Sequence, residues 1–177
     1  MNFAWVRAAS VGLAVLTLAA CGRDPQVDAA DSKANAEASA AFLVNNAKEP
    51  GVISLPSGLQ YKVVTSGPAG SPSPDRNDLV RVDYEGTLID GTVFDSSFEK
   101  GVPFATAPED VVPGWTEALQ KMKVGDEWIL YVPPELGYKD QRSGRIPPNS
   151  VLVFRIRMLD MLPVAGSGRR GPGVANG

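Results

Sequence analysis

Two stretches of strict alternation constrain this chain more than any other feature. Val80, Val82, Tyr84 and Leu88 alternate with Arg81, Asp83, Glu85 and Thr87, and Leu152, Phe154, Ile156 and Met158 alternate in the same way with Val153, Arg155, Arg157 and Leu159. A strand sends successive side chains to opposite faces, so this period belongs to strands buried on one side only. Half-buried strands of this kind pair antiparallel. "DEWILYVP" supplies another strand, with Trp128, Leu130 and Val132 on one side, and "GLQYKVV" a fourth. In "LIDGTVF" the pair Asp90-Gly91 offers the positive φ values that a tight hairpin turn needs. Only "VVPGWTEALQKM" reads as a helix, with Pro113 at its start and Trp115, Leu119 and Met122 spaced to face one way. The expected fold is α+β, a small antiparallel sheet crossed by one short helix.

Composition narrows the chemistry. The 177 residues, 44% hydrophobic and 21% charged, are ordinary globular material for one domain. A net charge of -3, from 17 basic and 20 acidic residues, leaves no electrostatic footprint for a nucleic acid. With no histidine and one cysteine, neither a His-dependent triad nor a Cys/His zinc site can be assembled. What remains is carboxylates, hydroxyls, aromatics and shape.

Residues 1–20 have the form of an export signal: Arg7, then an apolar run too short to span a bilayer, ending in "LAAC". That tetrapeptide resembles the bacterial lipobox, which makes Cys21 the lipidated N-terminus, anchored to the outer membrane and facing the periplasm or the cell exterior. The alternative is a plain cleavage site beside a stray thiol. Residues 21–56 are rich in Ala and polar residues, with larger apolar side chains before "KEP" clustered only near the end, at Phe42, Leu43 and Val44, apart from Val27; they read as a short helix or a flexible tether. The folded part is expected over 57–162, and the Gly-rich 163–177 is expected to be disordered. Lacking a sustained apolar seam before Pro50, the chain is expected to be a monomer.

"VRVDYEGTLIDGTVFDSS", "PFATAPEDVVPGWTEALQKMKVGDEWILYVPPELGY" and "IPPNSVLVFRIRML" are similar, in order and spacing, to the FKBP-type peptidyl-prolyl cis-trans isomerases. The preceding "AFLVNNAKEPGVISLPSGLQYKVV" resembles the exported branch that includes the macrophage infectivity potentiators. The resemblance implies an FKBP-like antiparallel β-sheet wrapped around one short α-helix. It also implies rotation of X–Pro bonds in proline-containing polypeptides, macrolides as possible ligands, and no cofactor or metal. By resemblance Trp115 is the floor of the proline pocket, with Phe94, Phe104, Val111, Ile146 and Phe154 around it. Val112 matches a residue whose backbone N–H orients the peptide, and Tyr138 one whose hydroxyl does. Asp95 and Tyr84 match the polar wall beside the reacting amide. Asp95 also has a bland reading, a turn-capping aspartate in "FDSS". The family pattern has glycine after the pocket tyrosine, where this chain has Lys139. A binding module or holdase using the same groove without turnover is the alternative function.

Overall fold

The computed structural model describes residues 25–164; the signal segment, Cys21 and the Gly-rich tail from residue 165 lie outside the described residues. Helix α1 (Pro25–Asn46) precedes strands β1 (Val52–Ser54), β2 (Gln60–Thr65), β3 (Leu79–Thr87) and β4 (Val93–Ser96). A single helical turn, α2 (Ser97–Lys100), leads to β5 (Phe104–Thr106), helix α3 (Pro113–Leu119), β6 (Glu127–Val132) and β7 (Leu152–Leu162). The strands form one antiparallel sheet in the order β1-β2-β6-β7-β3-β4, and β5 pairs with β3 beside β4.

The alternation explains the packing. Val80, Val82 and Tyr84 of β3, Leu130 and Val132 of β6, and Ile156 and Met158 of β7 face α3 and are buried against Trp115, Ala118 and Leu119. The helix is shorter than its sequence pattern, ending at Leu119. Met122 lies in the following turn and is still fully buried, its N–H donating to the Ala118 carbonyl at 3.0 Å. The opposite face of the sheet carries charge. There Glu127 receives Arg155 Nε at 2.6 Å and Arg157 Nε at 3.0 Å. Burial pushes the Glu127 carboxyl up, but the two guanidiniums more than offset it and hold the group below the ordinary glutamate range.

The hairpin between β3 and β4 differs from the two-residue turn suggested by Asp90-Gly91. Only Gly91 has positive φ, at 86°, while Asp90 does not. Leu88 and Thr92 close the loop by an N–H···O bond of 2.9 Å, with Asp90 Oδ1 accepting the Thr92 N–H. Glycine is needed at one position, as in a three-residue loop.

The segment expected as a short helix or tether is, over 25–46, a 22-residue helix held against the domain. Its contacts are mostly polar. Buried Asn46 donates to Gln60 Oε1 at 2.8 Å, and Gln60 donates to the Leu43 carbonyl at 3.0 Å. Phe42 adds a ring contact with Tyr131, centroids 6.0 Å apart. Ser39 is 2% exposed. The folded region therefore starts before Ser57, and β1 pairs with β2 ahead of that boundary. At the other end it runs past Leu162, since the Val164 N–H donates to Asp78 Oδ1 at 2.9 Å.

A flap joins β6 to β7. Ser143 and Ile146 exchange two backbone bonds of 3.1 and 2.9 Å, forming its tip. At its base Asn149 N–H donates to the Lys139 carbonyl at 2.7 Å, and both residues are left-handed, with φ of 56° and 57°. Lys139 thus occupies the conformation for which the family pattern supplies glycine, at a cost of about 1–2 kcal/mol.

Asn46→Ala should destabilise the protein by about 1–3 kcal/mol, because Gln60 Oε1 stays buried without its donor. A lowered urea midpoint with an unchanged slope would report this.

Candidate active site

Tyr84 reaches the inner face from the middle of β3, and Phe154 reaches it from β7, where it pairs with Gly86. Helix α3 crosses above them and places Trp115, 4% exposed, between the two. Trp115 meets Tyr84 edge-on at 5.2 Å and 86°, and Phe154 at 5.1 Å and 83°. Phe94 of β4 stands edge-on to Phe154 at 5.5 Å and 90°, and Phe104 of β5 to Tyr84 at 5.8 Å. Such pairs contribute about 0.5–1.5 kcal/mol each beyond burial. The rings line a cleft of about 420 Å³. Val111 and Val112 enter it from the start of α3, and Ile146 and Tyr138 from the flap. All ten residues assigned to the pocket by resemblance meet at this one cleft.

Its polar wall is a three-residue cluster. Asp95 Oδ2 accepts the Tyr84 hydroxyl at 2.5 Å, and Oδ1 lies 2.5 Å from Lys100 Nζ and accepts the Ser96 N–H at 2.9 Å. Burial pushes the Asp95 carboxyl up, but hydrogen bonds from Lys100 and Tyr84 outweigh it and leave the group below the ordinary aspartate range. Burial, and then Asp95, raise the Tyr84 phenol, while Asp95 raises the Lys100 ammonium. At neutral pH the wall is carboxylate, neutral phenol and ammonium. The cap of α2 is Ser96, whose hydroxyl accepts the Glu99 N–H, and not Asp95.

Sequence reasoning missed Lys100 and Asp110; the loop 139–145 is expected over the pocket by resemblance, and the structure shows that Ser143, Gly144 and Arg145 are the residues of it that complete the rim of the cleft. Lys100 was visible only as an opposite charge five positions beyond Asp95. The flap residues carry no pattern, since a turn centred on the left-handed Gly144, φ 55°, brings them to the rim.

A family model described as FKBP-type peptidyl-prolyl cis-trans isomerase matches residues 70–159, just over half of the 177. The chain belongs to the FKBP-type peptidyl-prolyl cis-trans isomerase family. A second model, the domain amino-terminal to FKBP-type peptidyl-prolyl isomerase, matches residues 18–63. The FKBP-type chain is 48% identical over 128 residues to the peptidyl-prolyl cis-trans isomerase Mip of Coxiella burnetii, covering 72% of this chain and 55% of that one. It is 45% identical over 126 residues to the outer membrane protein MIP of Legionella longbeachae, covering 71% and 53%. Among solved structures it matches FkpA from Escherichia coli with a TM-score of 0.73 and 40% identity, covering 78% of this chain and 64% of that one. The chain spans about half the length of the curated relatives it matches.

The FKBP-type cleft depends on Gly86. A Cβ there would lie 2.6 Å from Phe94 and 2.8 Å from Phe154, too close for either ring. Gly86→Ala should cost about 1–3 kcal/mol by overpacking and should shift the ring resonances of Phe94 and Phe154 in an NMR spectrum. Unchanged ring shifts would show that the strand, not the rings, gives way.

Proposed function

We propose that the domain catalyses cis–trans rotation of X–Pro bonds in exported polypeptides. The observation that carries this is the aromatic cleft floored by Trp115 beside the ionised Asp95. The barrier of about 18–20 kcal/mol arises because the nitrogen lone pair is delocalised into the carbonyl. Water stabilises the planar, charge-separated amide, so an apolar cleft that seats the proline ring favours the twisted, less dipolar form. A fixed carboxylate acts in the same direction. Twisting withdraws negative charge from the amide oxygen, so Asp95 beside that oxygen repels the twisted state less than the planar one. Tyr84 and Lys100 hold Asp95 in orientation and keep it charged. Val112 N–H has no acceptor among the described residues and suits a peptide carbonyl, and the Tyr138 hydroxyl on the flap suits another. No step moves a proton.

The same reading takes macrolides as competing occupants of the cleft. It places a monomer at the envelope, held by lipid on Cys21, in keeping with a relative named as an outer membrane protein. Cys21→Ser should move the protein from the membrane to the soluble fraction or block its maturation; a variant of mature mass retained in the membrane fraction would rule out the lipid anchor. A dimer mass in sedimentation would do the same for the monomer.

In an assay on proline peptides, Asp95→Leu should lower kcat on the order of tenfold, about 1.4 kcal/mol, with the fold intact. Tyr138→Phe should lose a few-fold, as expected for one hydrogen bond of about 1 kcal/mol. Trp115→Ala should lose activity together with about 3–5 kcal/mol of stability. Turnover should be flat from about pH 6 to 8, a range in which no unperturbed side chain of this chain titrates. Full activity in Asp95→Leu would reduce that residue to a strut for Tyr84, and peptide binding without turnover in the native protein would establish the holdase alternative.

A further inference from the structure

The polar face of α1 does not dock at random. Ser32, Asn35 and Ser39, spaced by three and four, all meet the strap 147–151 that connects the flap to β7. Asn149 donates through its side-chain amide to Ser32 Oγ at 2.9 Å and to the Ser32 carbonyl at 3.3 Å. The Asn149 carbonyl accepts from Ser39 Oγ at 2.7 Å, and the same hydroxyl accepts the Val151 N–H at 3.1 Å. Asn35 donates to the Pro148 carbonyl and, at 2.9 Å, to Ser150 Oγ, which in turn donates to the Pro147 carbonyl at 2.8 Å. Ser39, Ser150 and Val151 are buried at this junction.

The strap begins where the cleft wall ends. Ile146 lines the cleft and is 5% exposed, and the next residue enters the network with α1. Asn149 also closes the base of the flap through Lys139, the neighbour of Tyr138. Two residues that line the cleft, Ile146 and Tyr138, are thus each adjacent in sequence to a residue of the network. Within the flap, the remaining backbone ties are short-range turns, which open locally at little cost when their surroundings loosen.

We infer that Asn35 and Ser39 of α1 are positioning residues for the cleft: Asn35 through Pro148 and Ser150, and Ser39 through Asn149, latch the flap, fixing Ile146 and Tyr138 for peptide binding. This rests on the isomerase reading for its consequence in turnover, while the latch itself stands on the bonds between α1 and the strap. A docked α1 gives a preformed cleft wall, and an undocked α1 gives a mobile one. The effect falls on substrate affinity, because the floor at Trp115 and the Asp95 wall belong to other elements.

The test uses the full chain carrying Asn35→Ala with Ser39→Ala, and separately Ser39→Arg, whose side chain cannot fit at a position 2% exposed and wedges the helix away. Hydrogen exchange reads the latch directly. The amides of Ser143, Ile146 and Asn149 should exchange at least about tenfold faster, while those of β7 that bond to β3 keep their native rates. With a Leu-Pro tetrapeptide, KM should rise about three- to tenfold while kcat stays within about twofold. Native exchange at the three flap amides in Ser39→Arg, with α1 amides exposed, overturns the inference. So does a fall of kcat in proportion to the folded fraction with KM unchanged, which is what a merely structural helix would give. The exchange rates decide the latch even if no proline peptide is turned over, so the two readings fail separately.

Discussion

Everything in this domain is arranged around one indole. Trp115 packs edge-on against rings from β3 and β7, the two strands with the longest shared register, and so ties α3 to the middle of the sheet. The same contact leaves one side of the ring cluster uncovered, and that uncovered side is the cleft. Core and site are therefore not separate regions, with one stabilising the protein and the other doing chemistry. The stability of the α3–sheet interface and the shape of the cleft are set by the same side chains, which limits how far either can vary alone.

The polar wall obeys a different logic. A lone carboxylate against aromatic rings would be driven toward its neutral form by burial. Here a phenol and an ammonium face the two oxygens of Asp95, so the charge survives in a half-apolar setting. Because β4 gives way to the single turn of α2 before β5 resumes the edge, Lys100 comes back within reach of a residue five positions earlier. The break in the edge strand is what assembles the wall.

The parts of this fold legible in the sequence are those where burial follows a regular period. The strands β3, β6 and β7 announce themselves because apolar residues fall at every second position, whereas the cleft residues, most of them on other elements, were legible only through the resemblance to the FKBP family. Helix α1 gave only a weak signal for the opposite reason. Its docking positions, Ser32, Asn35, Ser39 and Asn46, have helical spacing but are polar, so a search for an apolar face finds nothing. Such a face becomes meaningful only when the carbonyls and amides it satisfies, at 148, 149 and 151, are known in three dimensions. Lys139 is another case: nothing local marks a lysine for left-handed backbone, and its conformation follows from the closure of the flap.

That closure has a further consequence. Lys139 and Asn149 clasp one another by a single bond while their neighbours continue into the 3-10 turn after β6 and into β7. A loop tied at its neck transmits little of its own length or composition to the strands outside it, since the entropy of the loop grows only slowly with added residues. The six positions from 140 to 145 consequently form an exchangeable cassette above a fixed floor. Charge, bulk or reach at the mouth of the cleft can be rewritten there while the sheet, α3 and the ionised wall remain as they are.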